Sequence, residues 1–316
     1  MNYNKKKQVL ITFVTPIHIL DSTVKKNIKK NQVLEKKLPI EFIYIFNGPK
    51  IKQVDLKEIP NNYFLKKSNG PGLARNIGIK KAKGKWLLFL DSDDDIISKN
   101  LSKLISFLII QKTNFVAINF KTNNKRYEKN LTKFQLNFKK INYKKRIKLF
   151  LEQKLEYAII FYCFKKKFII DNKIFFKNYP YEDILFLLKI YFYNKNNPIS
   201  YFKYIFYFKK IHNKSITMTV SENNIYGFIT AWKDVIQFLK QKKIENLKKM
   251  NSLYQYTLRG VFGYLYKRVE KSSSNVTYKL KMKKIIINNL KRHINKNFIA
   301  STNYDRCVKS HLIYEI

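Results

Sequence analysis

Residues Gly84 to Asp95 read GKWLLFLDSDDD. The run Trp86–Leu90 is apolar at every position, as expected of a central strand covered on both faces. Four aspartates follow at its carboxyl end, the edge where open α/β sheets bind ligands. Carboxylates about 5 Å apart repel by roughly 3 kcal/mol at an effective dielectric of about 20. Four together therefore call for a cation or for buried N–H donors. Asp91 and Asp93 alternate by two, so on an extended backbone they point the same way. Two oxygen ligands with room for water and phosphate suit Mg²⁺ or Mn²⁺. Capping the helix that follows needs only one aspartate, a role open to Asp94 or Asp95.

The flanking sequence repeats the alternation of strand and helix. QVLITFVT reads as strand, STVKKNIKKNQVLEKK as helix, IEFIYIF as strand and PGLARNIGIKKAKG as helix. A helix through LSKLISFLII and a strand NFVAINF come after the acidic run, and the apolar YAIIFYCF from Tyr157 reads as buried strand. Such alternation predicts an α/β sandwich with a mostly parallel sheet. Pro71 suits a first helical turn, where its missing N–H costs nothing, and Gly84 suits a left-handed stop.

From about Asn223 apolar residues recur at helical spacing: Ile229, Trp232, Ile236 and Leu239, then Leu258, Val261, Leu265 and Val269, then Met282, Ile285, Ile286 and Leu290. Lysines fill the other faces, and Lys271–Asn275 (KSSSN) reads as a connector. This predicts a helical C-terminal region that either packs on the core or lays a basic face on anionic lipid. Periodicity does not separate the two.

With 316 residues the chain allows one large domain or two ordinary ones, at roughly 100–200 residues each. Its net charge of +43 attracts anionic lipid, nucleic acid or anionic substrates. The lysines are spread along the chain, so most are read as solvated faces. No apolar run approaches the ~18 residues that span a bilayer. The N-terminus lacks the long apolar segment and small-residue cleavage site of a signal peptide. Cys163 and Cys307 have no metal-ligand spacing and suit a reducing compartment as ordinary thiols.

The ordered set Gly72, Ala74, Arg75, Asn76, Gly78, Ala82, Gly84, Asp91, Asp93 and Asp94 resembles the donor-site signature of bacterial family-2 glycosyltransferases, inverting enzymes of the GT-A fold. KNYPYEDILFLLKIYF is similar to the family's later acidic motif, with Glu182 and Asp183. IFYFKKIHNKSIT resembles its Tyr-rich strand ending in a basic residue, histidine and serine, here Lys210, His212 and Ser215. The resemblance runs from about Val9 to Thr217. It implies a GT-A-type Rossmann-like catalytic domain over 1–220, followed by a basic helical region over 221–316.

The resemblance also implies a site. Asp93 would take Mn²⁺ or Mg²⁺, with Asp91 beside it on the metal or on the donor's ribose; Pro16, Asn47, Gly72, Arg75, Ser92, Lys210 and His212 would join them in holding a nucleotide-sugar donor. Asp183 would be the general base and Glu182 would position the acceptor, a glycan or a lipid-linked sugar. A helix N-terminus by itself favours acids in its first turn, an alternative for both. Three positions depart from the family. IFNGPK puts Phe46, Asn47, Gly48 and Pro49 where Asp-Asp-Gly-Ser is usual; Asn47 can accept from uracil N3–H or donate to cytosine N3, so a UDP-sugar is the default. PIHI puts His18 and Ile19 after Pro16 and Ile17, His18 reading as pocket lining. Lys210 replaces the usual arginine and loses its bidentate grip.

The expectation is thus a cytoplasmic, metal-dependent, inverting hexosyltransferase of cell-surface polysaccharide synthesis, peripheral at the anionic inner membrane face and with no specific nucleic acid partner. The alternative is a basic nucleic-acid- or membrane-binding protein on a degenerate, inactive fold of the same kind.

Overall fold

The computed structural model describes residues 8–49, 51, 56, 58–65, 70–123, 141–152, 155–195, 197–211, 220–244, 262–272 and 274–293. Two compact units divide the chain. The first takes Met1–Lys145, Tyr157–Asn178 and Phe186–Ile211, the second Arg146–Glu156, Tyr179–Leu185 and His212–Ile316.

The first unit is built on an eight-stranded sheet in the order β3-β2-β1-β4-β7-β6-β8-β5. Its strands are β1 (Ile11–Ile17), β2 (Ile40–Phe46), β3 (Asn62–Phe64), β4 (Trp86–Phe89), β5 (Asp95–Ile96), β6 (Phe115–Thr122), β7 (Tyr162–Lys165) and β8 (Ser200–Lys209). β1, β2, β3 and β4 pair in parallel, as do β6 and β8; β7 is antiparallel to both β4 and β6, and β5 is antiparallel to β8. The mostly parallel α/β sheet agrees with the sequence reading. β2 and β4 are buried at every position, as strands covered on both faces should be.

Helices α1 (Ser22–Lys37), α2 (Pro71–Lys81) and α3 (Leu101–Ile109) fall on the stretches read as helical. Asp21 caps α1 by accepting from Val24 N at 2.9 Å. Pro71 lies in the first turn of α2 as expected. Gly78 of α2 meets β1 so closely that a Cβ there would lie 2.2 Å from Val14 Cγ1.

Two local readings change. Gly84 takes no left-handed stop: no described glycine has positive φ. Its small size matters instead, because a Cβ would come within 2.6 Å of Thr12 N. There the buried Glu41 accepts from Thr12 Oγ1 at 2.6 Å and from Lys83 N at 2.5 Å, while Gly84 N donates to Thr12 Oγ1 at 2.9 Å. The run from Tyr157 is strand only over Tyr162–Lys165; Ile159–Phe161 form one tight turn, buried all the same. A continuous apolar run reports burial, not backbone state.

Further helices are α4 (Tyr143–Leu151), α5 (Lys166–Asp171) and α6 (Asp183–Tyr193). In the second unit α7 (Glu222–Gln241) starts at Ser221, whose side chain accepts from Asn224 N at 3.2 Å. Ile229, Trp232 and Leu239 of the expected stripe are buried. Phe150 packs against Trp232, ring centroids 5.9 Å apart. A helix over 262–270, here α8, buries Leu265 and Val269, and α9 (Val276–His293) buries Met282 and Ile286. The connector read at Lys271–Asn275 falls between them. Leu258, Val261 and Cys307 lie outside the described residues. Cys163 is buried, and burial pushes its thiol up, as an inert core thiol requires. Among the described residues no helix is long and apolar enough to cross a membrane.

Candidate nucleotide-sugar site

Strand direction decides which residues meet. β1, β2 and β4 run the same way, and the two antiparallel steps through β7 restore that direction in β6 and β8. The carboxyl ends of β1, β2, β4 and β8 therefore share one edge of the sheet. Pro16, Asn47, Asp91 and Lys210, spread over nearly two hundred residues of sequence, arrive there together.

The acidic run turns at this edge. Asp94 N donates to Asp91 O at 3.1 Å, closing a turn over Asp91–Asp94, so Asp91 and Asp93 do not extend the strand as the two-residue spacing suggested. Arg75, 5% exposed, donates from Nη2 to Asp91 Oδ1 at 2.9 Å, and its guanidinium lies 5.7 Å from the centre of the Phe176 ring. Asp94, 3% exposed, accepts from the Tyr207 hydroxyl at 2.7 Å and from Lys210 N at 2.7 Å, with Lys209 Nζ 3.8 Å away. Burial pushes the Asp94 carboxyl up to about 7, against the pull of Lys209. Asp95 pairs with Lys30 at 2.7 Å and accepts from Ile96 N. Neither Asp94 nor Asp95 caps the following helix: Asn100 is the N-cap of α3 and makes no side-chain cap bond. Their charges are spent on tying the turn to β8 and to α1.

Three residues that spacing did not single out hold this turn. Tyr207 is fully buried and bridges it, accepting from Asp91 N at 3.2 Å while donating to Asp94. Burial and the neighbouring Asp94 and Asp91 charges raise its phenol far above the ordinary range, so it remains a donor. Asn27 of α1 donates to Ser92 O at 3.2 Å and to Asp94 O at 3.4 Å. Lys209 adds a cation beside Asp94, its Nζ 3.8 Å from Oδ2. Their partners lie 65 to 116 residues away in sequence, beyond any local signal.

The signature between the glycines has its own geometry. Asn76 pairs by both ends of its amide with the Phe176 backbone, at 2.9 Å each way. Gly72 is buried in the first turn of α2, and a Cβ on Gly70 would lie 4.0 Å from Asn178 Oδ1. On the other flank Asn47 is buried at the end of β2 and donates its backbone N–H to Ile17 O at 2.9 Å. Gly48 has no room for a side chain beside the His18 carbonyl, and His18 itself is exposed.

Asp93 is half-buried within the turn. Among the described residues no group of three or more His, Cys, Asp or Glu side chains is arranged to hold a metal ion. The acidic turn offers Asp93 and Asp91, one oxygen of Asp91 already on Arg75. Such a set fits Mg²⁺ or Mn²⁺ where substrate phosphates and water complete the shell, and does not fit a resident, fully protein-ligated ion.

The second unit carries Glu182, 4% exposed, and Asp183, half-buried as the first residue of α6. His212 and Ser215 lie outside the described residues.

The chain is similar to known glycosyltransferases. An uncharacterized glycosyltransferase of Haemophilus influenzae is 33% identical over 112 residues, 32% of this chain and 42% of that protein. A poly(ribitol-phosphate) beta-glucosyltransferase of Bacillus spizizenii is 29% identical over 187 residues, 58% of this chain and 28% of that one. The chain thus spans less than half the length of these curated relatives. Among solved structures, TarS of S. aureus superposes with a TM-score of 0.50 at 15% identity, over 93% of this chain and 46% of its own, a likeness of fold alone. The sheet and its neighbours give the chain the GT-A fold. The family described as Glycosyl transferase family 2 matches residues 12–176, just over half of the sequence and the span holding Arg75 and the acidic turn, and the chain belongs to that family.

Proposed function

We propose that the protein transfers a hexose from a nucleotide sugar, by default a UDP-sugar, to a glycan or lipid-linked acceptor of the cell surface, with inversion. The observation that carries this is the Arg75–Asp91 pair at the head of the Asp91–Asp94 turn, on the ligand-binding edge of a family-2 domain. Asn47 at the same edge is suited to the base, accepting from uracil N3–H through its side-chain oxygen. Arg75 and Lys210 bring positive charge toward a diphosphate. Asp93, with the remaining oxygen of Asp91, would hold Mn²⁺ or Mg²⁺. When bound, that ion supplies neutralisation of the charge gathering on the departing diphosphate.

Asp183 then serves as general base. The acceptor oxygen forms its bond to the anomeric carbon as the bond to the diphosphate breaks. The acceptor's proton passes to Asp183, and the bonding electrons leave with the nucleoside diphosphate. Glu182 positions the acceptor. The relative from Bacillus spizizenii, named as a beta-glucosyltransferase of poly(ribitol-phosphate), supports a polymeric acceptor. The catalytic domain is taken as 1–220. The basic region over 221–316 meets the anionic inner leaflet from the cytoplasmic side, at about 1 kcal/mol per lysine near the lipid.

Calorimetric titration with UDP-, GDP- and CDP-sugars in Mn²⁺ tests the donor: UDP-sugars should bind, and silence from all three would overturn the reading. Asp93→Asn and Asp183→Asn should keep the fold and lose turnover; full turnover in both would refute the site.

A further inference from the structure

We infer that α7 and α8, beyond the family match, are part of the catalytic apparatus: they fix the turn Tyr179–Glu182 from which Asp183 is presented. The inference rests on the proposed role of Asp183. Tyr181 has φ of 66°, in the left-handed region that bulky residues avoid. Such a conformation persists only where its surroundings over-determine it.

Here they do, through contacts among described residues of the second unit. The Tyr181 ring stands edge-on to Phe228 of α7, centroids 4.8 Å apart at 74°. Its hydroxyl accepts from Arg268 Nη1 of α8 at 2.5 Å. One residue earlier, Pro180 lies against Gly227 so tightly that a Cβ on 227 would sit 2.7 Å from Pro180 Cδ. One earlier again, the Tyr179 hydroxyl donates to Asp234 Oδ2 at 2.9 Å. Burial and the charge of Asp234 hold the Tyr179 phenol protonated, so this donor persists at working pH. Gly227 and Asp234 are seven residues apart, on one face of α7.

The clamp reaches the base through one further bond. Ile184 N donates to Tyr181 O at 3.2 Å, so the carbonyl of the strained residue secures the first turn of α6, where Asp183 sits. A helix pair serving only as core packing would need an apolar seam. Beside its buried apolar residues, this pair also directs a guanidinium, a carboxylate and a side-chain-free glycine at three consecutive residues next to Glu182. Asp234, Arg268 and Gly227 are positioning residues in this account.

The test uses the full chain with UDP-glucose and Mn²⁺, water serving as the acceptor, and follows UDP release for kcat and KM and UDP affinity by calorimetry. Arg268→Ala and Gly227→Ala should lower kcat by about 10- to 100-fold, the effect of a misplacement near 1 Å. KM and UDP affinity should stay within about twofold, and Arg268→Lys should recover part of the loss. Should Gly227→Ala fail to fold, Tyr181→Phe deletes only the hydroxyl and should lower kcat in the same direction. Wild-type kcat in folded Arg268→Ala and Tyr181→Phe overturns the inference, as does a kcat loss matched by equal loss of UDP affinity. Asp183→Asn separates the two ideas. If it still turns over, the reading of the base falls; if it is inert while the clamp variants are normal, only the clamp falls.

Discussion

Asp94 is a carboxylate kept in a place that penalises its charge, and its partners explain how. Tyr207, Lys210 N and the cation of Lys209 supply what burial removes. Tyr207→Phe takes a donor from Asp94 and an acceptor from Asp91 N, which should cost about 1–3 kcal/mol. Asp94→Asn keeps an acceptor for Lys210 N and relieves the buried charge, so it should cost less than Asp94→Ala. Urea midpoints of the three variants check both the size and the order. These ties were not legible beforehand, since Tyr207 stands 113 residues from Asp94. Arg75 and Asp91 were legible because the family resemblance carries both positions, though their ion pair was not. The two-residue spacing of Asp91 and Asp93 misled, because it assumed that the strand continues where the chain in fact turns.

The elements were easier to read where burial is two-sided. β4 declares itself by an unbroken apolar run and β2 by one from Phe42 to Phe46. β5, two residues long, exists only through its pairing with β8 and leaves no pattern to find. The glycines of α2 and its exit are packing devices: Gly78 lets the helix lie on Val14, and Gly84 lets the next strand start against Thr12. Gly78→Ala should therefore destabilise by about 1–3 kcal/mol through overpacking. Val14→Ala in the same chain removes the methyls it strikes and should return part of that loss. Non-additivity in a double-mutant cycle by urea denaturation is the expected signature.

Across the whole chain the acids are few, whereas the lysines are many and spread. An exposed pair such as Lys281–Glu222 contributes little to stability. The net charge of +43 instead governs encounter with anionic partners. Co-sedimentation with vesicles containing anionic lipid should be strong at about 0.1 M salt and largely lost by about 0.5 M, as screening shortens. Neutral vesicles should retain little. The helical character of the C-terminal region was readable from periodicity, but not its hold on the turn before Asp183. That depends on Tyr181 adopting a backbone conformation no sequence pattern announces.

The proposed donor site stands or falls on whether the acidic turn and a divalent ion bind the diphosphate together. Titrating UDP calorimetrically into the wild-type protein, with and without Mn²⁺, and into Asp93→Asn with Mn²⁺, measures this coupling. The account predicts that UDP affinity falls at least about tenfold, near 1.4 kcal/mol, both when Mn²⁺ is withheld and when Asp93 is neutralised. Equal affinity in all three titrations would contradict it.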